Sequence, residues 1–104
     1  MNDDLLLRNA VYNTFLEAER LTCKSVSVPA ISSGIFGFPK PRCAEILFDT
    51  AEEFLFRNDV KHLNEIRFTN FDEETYSIFL EEFKKRYTET SGYKDVVHVQ
   101  VEQQ

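Results

Sequence analysis

The chain has 104 residues, enough for one small domain, which buries only roughly two-thirds of the surface its unfolded form exposes. Apolar residues make up 42% and charged residues 29%, a balance that fits a globular protein and argues against disorder. The net charge of −6 disfavours non-specific partners such as nucleic acid or an anionic membrane, while leaving room for a local anion site built from backbone N–H groups.

Asp3 or Asp4 can cap a first helix. Leu7, Ala10, Val11, Thr14, Phe15, Ala18 and Leu21 then repeat at three-to-four spacing, which predicts helix over 4–21, with Glu17, Glu19 and Arg20 facing water. Thr22–Lys24 is a short connection. Ser25–Ile31 is short and rich in β-branched residues, hence a strand, with Pro29 marking the end of regular pairing or a bulge. Pro39 and Pro41 rigidify the entry to a second helix over 41–57, whose stripe is Cys43, Ala44, Leu47, Phe48, Ala51, Phe54 and Leu55. Asn58–Leu63 connects it to a second strand, Glu65–Phe71, with Ile66 and Phe68 on one face and Arg67 and Thr69 on the other. Asp72 reads as an N-cap with Glu73 and Glu74 in the first turn of a third helix, 73–87, which carries Tyr76, Phe79, Leu80, Phe83 and Tyr87. After the breaker Ser91-Gly92, Val97, Val99 and Val101 alternate with His98 and Gln100. This tail is either an edge strand or a frayed terminus.

Strand, helix and strand form one β-α-β unit, so the two strands should be parallel with a right-handed crossover. Both then end on the same edge, which brings loop 31–37 near Phe71. The stretch Val26–Pro41, V-S-V-P-A-I-S-S-G-I-F-G-F-P-K-P, is the centre of this arrangement. In open α/β sheets ligands bind at the carboxyl ends of the strands. Small residues, successive backbone N–H groups and a helix N-terminus behind them suit a phosphate. A plain strand-to-helix turn is the competing reading. Ile35, Phe36 and Phe38 argue against it, because they stand where a simple turn would be polar.

Val28-Pro29-Ala30-Ile31-Ser32-Ser33-Gly34-Ile35-Phe36-Gly37-Phe38-Pro39-Lys40 resembles the second phosphate-binding loop of macro domains, the ADP-ribose-binding modules. Leu6–Tyr12 with Glu17-Ala18-Glu19 upstream, and Cys43–Ile46 with Ile66–Asp72 downstream, resemble the family's flanking elements, so the likeness runs over residues 4–87. It covers the second half of the family's pattern. The acidic residue that meets the adenine, the Asn-Ala-Ala-Asn stretch and the first Gly-rich loop have no counterpart here. The implied fold is α/β and partial: a helix, a parallel β-α-β unit and a C-terminal helix over residues 1–88, with 89–104 a tail or edge strand.

The resemblance implies that ADP-ribose, free or attached to protein, is the ligand. The backbone amides of Ser33, Gly34, Ile35 and Phe36 would hold its diphosphate. Gly34 and Gly37 would permit close approach, and the Ser32 and Ser33 hydroxyls would add hydrogen bonds. Phe36 would lie against the distal ribose, or else anchor the loop by packing. Phe71 would stack on the adenine, with a core position as its alternative. Some macro domains hydrolyse ADP-ribose esters, but the residues that do so belong to the first half, so no catalytic residue is named and the enzyme question stays open.

No cofactor is expected. His62 and His98 lie far apart without acidic or thiol neighbours at metal-ligand spacing, so no metal site is expected either. Cys23 and Cys43 read as buried thiols rather than a disulfide. The alternative function is a truncated macro-like module acting in protein–protein assembly, because two parallel strands leave open edges that a partner chain, a second copy or the tail strand would cover. No stretch reaches the ~18 apolar residues of a membrane span. The opening Met-Asn-Asp-Asp lacks a signal pattern, so the expected location is intracellular, cytoplasmic or nuclear.

Overall fold

A computed structural model describes residues 3–29, 39–70, 72–87 and, for the backbone, 99–103. In chain order these form α1 (Asp3–Arg20), β1 (Ser25–Pro29), α2 (Lys40–Leu55), β2 (Glu65–Asn70), α3 (Glu73–Arg86) and β3 (Val99–Gln103). The architecture is the expected α/β one. The expected Ile31 and Phe71 strand ends, the Ser91-Gly92 breaker and His98 lie outside the described residues.

The three strands form one sheet in the order β1-β2-β3, all parallel. In register, Val26 pairs with Ile66 and Val28 with Phe68 on one side of β2, while Ile66 pairs with Val99 and Phe68 with Val101 on the other. Val97 lies outside the described residues, while Val99 and Val101 of the C-terminal valine alternation therefore lie in a strand docked beside β2. That central position buries Ile66, Phe68, Thr69 and Asn70 together. The expected two-faced alternation of β2 is thus only partly realised: Thr69, assigned to the opposite face, is buried as well, because strands paired on both sides are shielded more completely.

Helix α2 is the hub. It packs between α1 and α3, and Ile46 and Thr50 join the expected stripe of Cys43, Ala44, Leu47, Phe48, Ala51 and Phe54 in being buried. Thr50 is accommodated because its Oγ1 donates to the Ile46 carbonyl at 2.6 Å. Phe48 lies at the centre, with its ring 5.0 Å from Phe68 and 6.0 Å from both Phe79 and Tyr87, centroid to centroid. Such offset and edge-on pairs suit the ring quadrupole.

Helix α1 buries Leu7, Val11, Phe15 and Ala18 but leaves Ala10 and Thr14 exposed, and it ends at Arg20, one residue before the exposed Leu21. The predicted stripe was therefore too wide: only its α2-facing side is covered. Asp3 and Asp4 lie inside the first turn, where they complement the helix dipole, rather than preceding it as caps. The helix ends with Thr22 at φ 60°. The Thr22 N–H bonds to the Glu19 carbonyl and the Cys23 N–H to the Ala18 carbonyl, the paired bonds of a Schellman end, which glycine fills most readily.

Glu19 does not simply face water, as the sequence suggested. Its carboxylate accepts the backbone N–H groups of Lys61, His62 and Leu63 at 2.8–2.9 Å. The Leu63 bond, then the Lys61 bond, hold its carboxyl below the ordinary range. One side chain thereby ties the connection before β2 to the end of α1.

Arg86 and Tyr87 tie α3 to α2. Arg86 bonds Glu82 at 2.6 Å, Asp49 at 2.8 Å and Glu52 at 3.2 Å, and the Tyr87 hydroxyl donates to Glu52 at 2.7 Å. Burial, then the Glu52 bond, push the Tyr87 phenol well above its ordinary value. Burial alone would lower Arg86, but Glu82 and Asp49 outweigh it and hold it fully charged.

Candidate functional site at the carboxyl edge of the sheet

The register Pro29↔Thr69 means that β1 and β2 finish within one residue of each other on the same edge. The following helices, α2 and α3, both begin there. The nearness expected from the sequence is of loop 31–37 to Phe71; the parallel pairing brings the flanks of the two segments to one edge. Ser32, Ser33, Gly34, Ile35, Phe36, Gly37 and Phe71 themselves lie outside the described residues. Their flanks are described: Pro29 and Pro39 on either side of the loop, Asn70 and Asp72 on either side of Phe71.

The two helix starts differ. At α3, Asp72 has extended backbone, its carboxylate accepts the Thr75 N–H at 2.7 Å and the Thr75 hydroxyl at 3.0 Å, and Glu73 and Glu74 fill the first turn. This is the N-cap expected from the sequence, and the Thr75 bonds hold the Asp72 carboxyl below its ordinary range. At α2, Pro39 occupies the cap position with no side-chain cap, Pro41 sits in the first turn, and no acidic residue occupies that turn. A helix start without a carboxylate keeps its positive end available to an anion.

Lys40, the first residue of α2, spans the two starts. Its Nζ lies 3.3 Å from Glu74 Oε2 and 4.0 Å from Asp72 Oδ1. In the sequence Lys40 is only the last residue of the loop motif. Its reach depends on α2 and α3 starting side by side, which no local pattern encodes. Asn70, the last residue of β2, is 1% exposed, and its Nδ2 donates to the Phe68 carbonyl at 3.3 Å.

The other candidates lie elsewhere. His62 is exposed and donates its backbone N–H to Glu19. Cys43 is buried and Cys23 only half-buried, in contrast to the expected burial of both. Among the described residues no group of histidine, cysteine and carboxylate side chains is arranged to hold a metal ion, and no helix is long and apolar enough to cross a membrane.

Sequence comparison points the same way. A family model described as the Macro domain matches residues 1–47. An uncharacterized protein of Thermotoga maritima is 49% identical over 78% of this chain and 14% of its own length. The protein mono-ADP-ribosyltransferase PARP14 of Homo sapiens is 40% identical over 82% of this chain and 5% of its own length. An O-acetyl-ADP-ribose deacetylase of Escherichia fergusonii is 36% identical over 75% of this chain and 43% of its own length. The chain thus spans less than half the length of these curated relatives. With the parallel β-α-β core and its convergent strand ends, these matches identify the chain as a member of the macro domain family that carries part of that family's domain.

Proposed function

We propose that the chain binds ADP-ribose, free or on ADP-ribosylated protein. Its diphosphate lies on the backbone amides of Ser33, Gly34, Ile35 and Phe36, and its adenine stacks on Phe71. Gly34 and Gly37 allow the close approach, the Ser32 and Ser33 hydroxyls add hydrogen bonds, and Phe36 borders the distal ribose. The observation that carries this reading is the Pro29↔Thr69 register: it ends both strands on one edge, where the loop leaves β1 and Phe71 follows β2. The uncapped start of α2 supports the diphosphate end. Two relatives are named for ADP-ribose chemistry, a mono-ADP-ribosyltransferase and an O-acetyl-ADP-ribose deacetylase, which supports the choice of nucleotide.

Calorimetric titration with ADP-ribose, ADP and AMP tests it. The expected result is binding in the order ADP-ribose over ADP over AMP, with loss of heat in Gly34→Val. A folded wild type that gives no heat with ADP-ribose at millimolar concentration would overturn the proposal.

A further inference from the structure

The two helix starts at the carboxyl edge pull one cation in opposite directions. The first turn of α2, behind the loop, carries no acidic residue. The start of α3 carries three, Asp72 at the cap with Glu73 and Glu74 after it. Lys40 belongs to α2 by sequence and to α3 by contact, with its Nζ 3.3 Å from Glu74 Oε2 and 4.0 Å from Asp72 Oδ1. The two carboxylates are not equivalent. Asp72 accepts the Thr75 N–H and the Thr75 hydroxyl, so it is committed to the cap. Glu74 stands nearer to the ammonium, and its side chain is 73% exposed. An ion pair this open to water is worth little, so a second anion can draw the cation away at small cost.

We propose that Glu74 competes with the phosphate end of the ligand for the Lys40 ammonium, and so sets how tightly the carboxyl edge holds an anion. The inference rests on the ligand reading above and adds a control to that same site. Without ligand, Glu74 keeps Lys40 over the start of α3. A diphosphate behind the loop offers the ammonium more negative charge than one carboxylate does. It also lies at the start of Lys40's own helix, where the free N–H groups already favour an anion. The flexible four-carbon stem of a lysine lets its ammonium change partners without moving the backbone. Glu74 tolerates the loss, because a carboxylate in the first turn of a helix is favoured by the dipole of that helix. The device acts on phosphate and is indifferent to the base.

The test is a double-mutant cycle on the full 104-residue chain, titrated calorimetrically with ADP-ribose. Glu74→Gln should tighten binding roughly two- to fourfold, the scale of an exposed pair. That gain should vanish in the Lys40→Gln background, because the two residues act as a unit. Glu73→Gln makes the same charge change in the same turn, and should shift affinity equally with and without Lys40. Adenosine, which has no phosphate, should not distinguish Glu74→Gln from wild type. Thermal melts of all variants should stay close to wild type, since Glu73 and Glu74 are exposed and Lys40 only half-buried. A gain from Glu74→Gln that is equal in both backgrounds would overturn the proposal, because it would reflect only the removal of a negative charge near an anion. No gain, or a loss, would overturn it as well. In each of these cases the ligand reading stands, because wild type still binds. A folded wild type that gives no heat with ADP-ribose would overturn the ligand reading and this inference with it.

Discussion

Lys40 Nζ stands 3.3 Å from Glu74 Oε2, so the first residue of α2 is tethered to the first turn of α3 across the carboxyl edge of the sheet. The pair is solvent-exposed, and pairs of that kind add little to stability. Its consequence is positional, because it spans the flanks of the two proposed ligand-contacting segments. Lys40→Gln should therefore leave the melting temperature nearly unchanged while weakening ADP-ribose binding roughly threefold, less in high salt. Titration calorimetry at two ionic strengths checks this. Equal affinity for both proteins would remove Lys40 from the site.

Phe71 follows the buried Asn70 and precedes the Asp72 cap. If it stacks on the adenine, Phe71→Ala should cost about 1–3 kcal/mol of ADP-ribose binding, and Phe71→Trp should retain it. Ribose 5-phosphate, which has no base, should not distinguish the variants. A loss of thermal stability in Phe71→Ala that matches a core truncation, with affinity unchanged, would assign the side chain to packing instead.

Thr22 holds φ 60° at the end of α1. A β-branched residue pays for the left-handed region, roughly 1–2 kcal/mol, where glycine does not. Thr22→Gly should therefore stabilise the protein by about 1 kcal/mol, and raise the melting temperature by roughly 4–8 °C for a domain of this size. Urea denaturation measures it. A destabilised variant would mean that the Thr22 hydroxyl bond to the Leu21 carbonyl outweighs the backbone cost.

Phe48 touches rings from β2, from α3 and from Tyr87. Phe48→Ala should cost about 3–5 kcal/mol, enough to leave a small domain largely unfolded at 37 °C. Phe48→Leu should cost clearly less, because more of the volume is kept. Denaturation curves of the two variants, read with a common slope, test the ranking.

Glu19 supplies a pH dependence whose sign is set. Its folded carboxyl titrates below its unfolded value, because the Leu63 and Lys61 N–H groups bond the charged form. The stabilisation is present above the unfolded value, and it is lost as pH falls through the folded one. The wild type should therefore lose stability on acidification into that carboxylate window more steeply than Glu19→Gln does. At neutral pH, Glu19→Gln should melt lower. Thermal melts across acid and neutral pH compare the slopes. Parallel curves for the two proteins would deny the clamp.

Much of this was legible locally. The three-to-four spacing of Leu7, Val11, Phe15 and Ala18 and of Cys43, Leu47, Ala51 and Phe54 is enough to place α1 and α2, because helix faces are encoded by residues one turn apart. The valine-rich Ser25–Pro29, the Ile66–Phe68 alternation and the Asp72 cap likewise need only near neighbours. The length of the crossover between β1 and β2 was enough to expect them parallel. The same local logic selected the loop residues and Phe71 by their resemblance and their position after strands.

Tertiary structure decided which potential contacts were used. Ala10 and Thr14 belong to the stripe expected for α1, yet nothing in the helix says that α2 covers only the neighbouring strip. Whether the C-terminal valines pair with β2 or fray depends on a sheet edge built from residues far back in the chain. Glu19 looks like any solvated glutamate until the chain returns more than forty residues later with three N–H groups aimed at it, and Lys40 meets Glu74 only because two parallel strands end together. Sequence spacing determines the faces of an element. What meets each face is determined by long-range packing, and that is where this protein's Glu19 clamp and carboxyl edge originate.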